Sequence, residues 1–550
     1  MSYYTANKEV EFISCPSKYI AAEGASRENR DLLLGKAPIS IEELVPLPDD
    51  NKTDYYNSPV SNPALTDGMI DYSATYTSPA WFHFTRGIDR TVTFRLDNLS
   101  AINRFEVCFL RDESIAVRPP RKLFILLSEN GKDWEVVSRD SRLTCVFEKD
   151  IVTKRIELEV PRKALYVRFK FDVACHVWCG RLSAYGCTEI PENAKDIVAS
   201  EAESVAKQTI YNKYPDYNAL LGVHNLLLSY NCLPKDRVKN GEGFITEEQY
   251  LPYVAYLDKD MKIKDTMFDA YLYLPYTAFN YADNAKTAEG WHYYIDNCFA
   301  KGRNLEALDK TVGRVKDELN LPDYKVHVFF SLLYTFTTAT SFGDLDGSGK
   351  CLNFTKIEDR KTAIKWAVEE YIRRYNEKHT KNTVLGGFYW FEESIAFADE
   401  HELDLIAYAR DLVHSHGMKF FWIPWYQAGG FADWQEVGFD IACMQPNYAF
   451  NDKIPVSRLY DNADITKKLG MCVEMESFLH GDDPFHINKF KDYMDCGAET
   501  GYMHSVKMYY QGGVPGDFYN ACHSSDPECR SLYDDLHLYI KEKYVSRKDR

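Results

Sequence analysis

"GGFYWFEES" (residues 386–394) and "GMCVEMES" (residues 470–477) decide how this chain is read. Each is an apolar, aromatic or branched run that breaks off at acidic residues, Glu392 and Glu393 in the first, Glu474 and Glu476 in the second. Near-continuous apolar runs of this length mark strands buried on both faces, the kind found in parallel sheets. In a closed ring of parallel strands, polar residues at the strand ends are the ones placed for chemistry. About 83 residues separate Glu393 from Glu476, room for roughly two further strand–helix units. The two runs therefore fit strands four and seven of one barrel.

Six more runs complete the set: "ALLGVHNLLL" (219–228), "MFDAYLYL" (267–274), "KVHVFFSLL" (325–333), "KFFWIPW" (419–425), "FDIACMQP" (439–446) and "SVKMYYQ" (505–511). Helical patterns lie between most of them. In "DRKTAIKWAVEEYIRRYNEK" (359–378), Ala363, Ala367, Val368 and Ile372 recur at helical spacing, and "DLIAYARDLVHSHG" ends on Gly417, a helix stop. One connection is irregular: "LPYVAYLDKDMKIKD" (251–265) reads as a hairpin turning at Asp258–Asp260. Eight units predict a (β/α)8 TIM barrel over 216–550. An open doubly wound sheet would also alternate, but no glycine-rich phosphate loop supports it.

The polar residues at the expected strand ends form a consistent inventory. They are Asn225 and Ser229, Tyr276, Tyr334, Glu392 with Glu393, then Trp425, Tyr426 and Gln427. Gln445, Asn447 and Tyr448, Glu474 with Glu476, and Tyr510 with Gln511 follow, and Trp390 precedes the fourth pair. This set is rich in carboxylates, amides and aromatics and poor in histidine and cysteine. Glycoside hydrolysis needs one carboxylic acid to protonate the leaving oxygen and a second carboxylate as nucleophile or base. Aromatics suit sugar faces, and amides suit hydroxyls. Glu393 is accordingly expected as general acid/base and Glu476 as nucleophile. Asn225, Glu392, Trp390, Trp425, Tyr426, Gln445, Asn447, Tyr448, Glu474 and Tyr510 are expected to bind the carbohydrate. A separation of about 5–5.5 Å between the two carboxyl groups would mean retention, and about 6.5–9.5 Å inversion; retention is favoured. Glu392 and Glu393 are adjacent, so only one can face inward from a regular strand.

Other signals point away from the mouth. His414 and His416 form an HxH pair at a helix end, at the opposite end of the barrel. His224 and His327 read as hydrogen-bonded core residues. "GDLDGSGKCLNF" (343–354) sets Asp344, Asp346 and Ser348 at calcium-loop offsets but lacks the closing glutamate. No cofactor is expected, with a structural calcium there as the one alternative, and no catalytic metal.

Residues 1–187 have a β-only texture. "RTVTFRLD" (90–97), "NRFEVCFL" (103–110), "KLFILLS" (122–128), "KRIELEV" (154–160) and "LYVRFKF" (165–171) are short alternating runs separated by turns, the pattern of a sandwich. "LTDG", "WFHF", "LFILLSENGKDWEVV" and "ALYVRFKF" follow one another as in the discoidin, or coagulation-factor type C, jelly roll, which 59–186 resembles. Members of that family often bind carbohydrate or lipid headgroups through end loops, but no residue signature here names a sugar site. Residues 188–215 are polar and read as a linker.

At 550 residues the chain is too long for one core. A hydrophobic content of 45% with 27% charged residues describes an ordinary globular protein. The net charge of −17 argues against nucleic-acid or anionic-membrane partners. No run approaches the roughly 20 apolar residues needed to span a bilayer. The N-terminal residues lack a secretory pattern and the cysteines are scattered in strand-like runs, so a cytoplasmic location with reduced thiols is expected. Oligomeric state is not legible.

A second resemblance rests on "LLLSYN" (226–231), "GFYWFEESI" (387–395), "WIPWYQAGGFADWQEVGFDIACMQPNYAF" (422–450) and "GMCVEMESF" (470–478). Over about 220–513 these are similar to a bacterial barrel family known as domain of unknown function 4855. That resemblance implies a glycosidase-like barrel and names no substrate. Two other readings compete: a carbohydrate-binding or scaffold protein with a degenerate barrel, and a metal-dependent barrel hydrolase, which the scarcity of strand-end histidines disfavours.

Overall fold

Alternate residues of the N-terminal strands are apolar, and the computed structural model turns them to one side. It describes residues 27–43, 58–85, 89–112, 117–140, 149–173, 176–200, 210–238, 243–276, 283–396, 399–426, 428–513 and 515–550. The chain divides into two compact units near Gln208.

The first unit is a sheet of eight strands: β1 (Arg30–Asp31), β2 (Ser40–Glu43), β3 (Phe82–Thr85), β4 (Arg90–Asp112), β5 (Leu123–Ser128), β6 (Glu135–Asp140), β7 (Lys149–Phe171) and β8 (His176–Cys187). They run in the order β1-β8-β4-β7-β5-β6, with β2 on β4 and β3 on β8. Period-two residues such as Val92, Phe94 and Leu96, Leu123, Ile125 and Leu127, and Val167, Phe169 and Phe171 form its core. Part of the expected linker belongs to this sheet. The Lys195 N–H donates to the Pro161 carbonyl and the Ser200 N–H to that of Trp134. From the other end of the linker, the Tyr214 hydroxyl donates to the Ala463 carbonyl in the second unit. Backbone groups left over at a sheet edge recruit neighbouring chain, which a polar composition does not reveal.

The second unit is a closed barrel of eight parallel strands: β9 (Asn225–Tyr230), β12 (Ala270–Leu274), β13 (Val326–Leu332), β14 (Thr383–Trp390), β15 (Lys419–Trp422), β16 (Ile441–Met444), β17 (Cys472–Glu476) and β18 (Lys507–Tyr510). β18 pairs back onto β9, with Lys507 opposite Asn225, and closes the ring. The irregular connection holds the expected hairpin, β10 (Ala255–Leu257) with β11 (Ile263–Thr266), directly after a helix at Glu247–Val254. That helix starts on a capping box between Thr246 and Gln249. Longer helices, among them Ile357–Lys378, Glu402–Ser415, Ser457–Leu469, Pro484–Thr500 and Pro527–Ile540, lie in later connections. Leu226, Leu228, Leu272, Phe329, Tyr389, Phe391, Phe421, Cys443, Cys472 and Met508 fill the interior.

One irregularity of β14 sets the site. Its register against β13 shifts so that Val328 faces Leu385 and Phe329 faces Gly387, a bulge with one extra residue. Gly386 faces the interior, where a Cβ would meet the Phe329 ring at 2.5 Å. Gly387 has φ +152° and lies so close to β15 that a Cβ would meet the Lys419 carbonyl oxygen at 1.9 Å. Simple alternation from Gly386 would turn residues 388, 390 and 392 inward. The extra residue turns Tyr389 and Phe391 inward instead, and the next position of that parity is Glu393.

Gly387→Ala places its methyl group on fixed backbone and should cost on the order of 3 kcal/mol, a large single-site loss. Denaturant unfolding of the variant checks this.

Candidate active site at the barrel mouth

A strand-end carboxylate becomes useful when the surrounding strands take it out of water. Glu476, last residue of β17, is fully buried. Its Oε1 accepts from the Asn447 N–H at 3.2 Å and its Oε2 from the Tyr493 hydroxyl of the helix Pro484–Thr500. The Tyr448 N–H lies close enough to favour the ionised carboxylate. Burial pushes the Glu476 carboxyl up to about 7; these donors oppose the shift, and the nearby Glu393 charge adds to it. Glu393 follows β14, with the Gln445 side chain beside it easing its ionised form; burial, the larger effect, raises it to about 7 as well. Gln445 is held by its amide nitrogen on the Ile423 carbonyl at 3.0 Å.

The loop after β16 thus reaches both carboxylates. Gln445 contacts Glu393, while Asn447, two residues on, and Tyr448 contact Glu476. Asn447 adopts φ +54°, a left-handed conformation that asparagine tolerates better than most residues and that turns the loop at this point. Carboxylates from strands four and seven are tied to one short stretch of chain.

Glu474 lies on the same face of β17, one step deeper. It is 2% exposed, and its Oε1 has no hydrogen-bond partner among the described residues. Burial, then the charges of Glu476 and Glu393, hold its carboxyl well above the ordinary range. Three acids in one low-dielectric pocket cannot all ionise. Glu476, which accepts from the Asn447 N–H and the Tyr493 hydroxyl, is the one best equipped to carry charge, and the surroundings of Glu474 favour its protonated form.

Tyr510, Tyr230, Tyr276 and Tyr389 ring the acids. Tyr230 stands 5.4 Å from Tyr276 and 5.8 Å from Tyr510, ring centre to ring centre. Burial and the charges of Glu474 and Asp517 push Tyr510 up to about 12. Trp425, half-buried, bridges to Gln445 at the same level.

Several expected binding residues are placed elsewhere. Asn225 begins β9, so it lies at the opposite end of the barrel, where its Oδ1 accepts from the Tyr509 hydroxyl at 2.8 Å. The strand starts later than its apolar run suggests, because Asp269 caps the His224 and Asn225 N–H groups. Trp390 alternates with the inward Tyr389 and Phe391 and packs outward against Phe420 and Tyr334. Glu392 stands beside Glu402 on that outer side, where burial and the Glu402 charge push its carboxyl up to about 8. The Tyr426 hydroxyl is spent on Asp461 and the Tyr448 hydroxyl on Asp492, the latter at 2.8 Å. Ser229 faces Tyr250, Tyr334 donates to Glu402, and Gln511 braces the chain at Gly513 and Phe518. Gln427 lies outside the described residues.

The remaining signals resolve into local structure. His414 bonds Asp440 at the far end of the barrel, and His224 is part-exposed and stacked on Tyr217 rather than in the core. Asp344 accepts from the Gly347 and Gly349 N–H groups, and Asp346 from that of Ser348, so these carboxylates shape their own loop. Among the described residues, no group of three or more His, Cys, Asp or Glu could hold a metal ion, and no helix is long and apolar enough to cross a membrane. Three participants carry no mark in the sequence: Tyr389, inward only because of the bulge in its strand, and two further tyrosines. Tyr493 is a mid-helix residue with no distinguishing pattern, and Tyr230 was legible only as the last residue of a strand whose boundary was misplaced.

The family described as "Domain of unknown function (DUF4855)" matches residues 227–538, more than half of the chain. No curated protein matches significantly. Among solved structures, the CBM22-1–GH10 modules of Clostridium thermocellum endo-1,4-beta-D-xylanase 10B, complexed with xylohexaose, are 8% identical. They cover 79% of this chain and 87% of that one at a TM-score of 0.29. CpGH89CBM32-6 of Clostridium perfringens is 18% identical, covering 28% of this chain and 99% of that one at 0.19. A Streptococcus pneumoniae fucose binding module is 10% identical, covering 28% and 95% at 0.21. Likenesses this slight carry no functional weight.

Glu474 has a consequence for stability. Its folded-state pKa lies well above the model-peptide value of 4.5, so the folded protein holds a proton that the unfolded chain releases. Stability from this group is therefore full below about pH 4.5 and lost as pH climbs toward the raised value. Glu474→Gln removes that loss. The melting temperature of the variant minus that of the wild type should grow from pH 5 to pH 8; a flat difference would remove the assignment.

Proposed function

We propose that this chain, which belongs to the domain of unknown function 4855 family, hydrolyses a glycosidic bond with Glu393 as general acid/base and Glu476 as nucleophile. The observation that carries the reading is the loop 445–448, which touches one carboxylate with Gln445 and the other with the Asn447 and Tyr448 N–H groups. On this reading the second unit is a (β/α)8 TIM barrel, with its acids at the C-terminal mouth where such barrels do their chemistry. The N-terminal sheet is, on the same reading, a discoidin-like jelly roll.

The roles follow from the surroundings. Glu393 has the Gln445 side chain beside it and a carboxyl raised to about 7, so a substantial fraction is protonated at neutral pH and can give its proton to the leaving oxygen. Glu476, oriented by Tyr493 and two backbone N–H groups, attacks the anomeric carbon as the carboxylate. The glycosidic C–O bond breaks as the Glu476–carbon bond forms, and the Glu393 proton goes to the departing oxygen. Glu393, now ionised, then takes a proton from water as that water displaces Glu476. Retention of configuration is the expected outcome. Glu474, neutral beneath Glu476, adds no second negative charge under the developing positive sugar and leaves the role of counter-charge to Glu476.

A screen of aryl glycosides and natural oligosaccharides tests this. Glu476→Gln should lose on the order of 10⁴-fold or more in kcat. Glu393→Ala should lose about 10²–10⁴-fold on natural leaving groups and much less on aryl groups that leave unprotonated. In wild type, kcat/KM should fall above about pH 7 as Glu393 loses its proton, and that limb should vanish in Glu393→Ala. Sugar binding with no turnover in wild type would instead establish a non-catalytic carbohydrate-binding barrel.

A further inference from the structure

Loops at one side of the barrel mouth carry exposed aromatic rings in an unbroken line. Phe450, after β16, and Phe478, after β17, are each 41% exposed, and Phe485, at the start of the next helix, is 52% exposed. The Phe450 ring lies 5.2 Å from Tyr510 and 5.5 Å from Phe478. Inward, Tyr510 meets Tyr230 at 5.8 Å, and Tyr230 senses the charges of Glu393 and Glu474. Outward, Phe478 meets His480 at 5.0 Å, His480 meets His486 at 4.3 Å, and His486 meets Phe485 at 5.2 Å. The ridge therefore starts at the buried acids and leads to the surface.

Exposed apolar area on this scale, continuous with a polar cleft, marks a ligand groove. A pyranose ring matches it: its C–H face leaves water against an aromatic ring while its hydroxyl edge stays hydrogen-bonded at the rim. The rim is acidic, with Asp452, Asp482 and Asp483 on it, and its histidine His486 pairs with Asp483 at 2.8 Å. The nearby Lys489 is spent on the Asn451 carbonyl at 3.1 Å and on Asp452 at 3.3 Å. Such a rim repels anionic ligands.

We propose that the ridge from Tyr510 to Phe485 holds consecutive residues of an uncharged glycan, so that the barrel takes an oligo- or polysaccharide along its length rather than a lone terminal sugar. This rests on the glycosidase reading only for the place of the reacting bond; binding by the ridge is separable from it.

The experiment uses the whole chain with Glu476→Gln, to stop turnover, and isothermal titration with neutral di- and hexasaccharides of the gluco-, xylo-, manno- and N-acetylglucosamine series, alongside hexagalacturonate. At least one neutral hexasaccharide should bind ten-fold or more tighter than its disaccharide. Adding Phe450→Ala and Phe478→Ala should erase that gain and leave the disaccharide unchanged, whereas Phe450→Trp should preserve or increase it. No neutral hexasaccharide binding at millimolar concentration, unaltered binding in the alanine variant, or preference for hexagalacturonate would overturn the proposal. Wild-type turnover on the same panel separates the two readings. Length-dependent binding without hydrolysis leaves the ridge and removes the reaction, while hydrolysis indifferent to Phe450 and Phe478 removes the ridge alone.

Discussion

Backbone hydrogen bonding between β18 and β9 closes the barrel, and the site depends on that closure. An open sheet would leave Tyr510 and Tyr230 on separate edges; pairing Lys507 with Asn225 brings their rings to 5.8 Å. Closure also turns eight strand ends toward one axis, so residues far apart in order share a pocket. The interior below is filled by leucine, phenylalanine, cysteine and methionine side chains, which makes the barrel a packed core and not a pore.

That packing places carboxylic acids where water cannot solvate them. Glu393, Glu474 and Glu476 all have raised carboxyl groups, each with burial as the largest cause. A protein pays for such an arrangement in stability, and an arrangement serving only the fold would gain by replacing the acids with apolar residues of like size. The donors are also unequal. Glu476 receives the Asn447 N–H and the Tyr493 hydroxyl, and the Glu474 Oε1 receives none, so chemically identical groups in one pocket have different surroundings.

The eight apolar runs were legible because strands buried on both faces must be apolar throughout, whatever their neighbours. The short hairpin after the first strand was legible from its turn residues, although the capped helix at Glu247–Val254 just ahead of it was not expected. Strand ends were harder. Asn225 belongs to the same apolar run as Leu226–Leu228, yet Asp269 ends the strand's upstream side by capping two N–H groups from a distant position. Tyr426 and Tyr448 stand near the mouth in sequence, but their hydroxyls are claimed by Asp461 and Asp492 on helices behind the strands. A single line of residues carries no record of such partners.

Sequence by itself determined which strands terminate in acids, and their numbers in the ring, because hydrophobic periodicity is a local property of the chain. Only the tertiary structure decided which acids meet. Plain alternation from Gly386 would have pointed Glu392 inward; the register shift that leaves Gly386 as the extra residue, with Gly387 paired to Phe329 and Lys419, points Glu393 inward instead. Facing direction is a matter of register between strands, and register is settled by pairing, not by any one strand's composition.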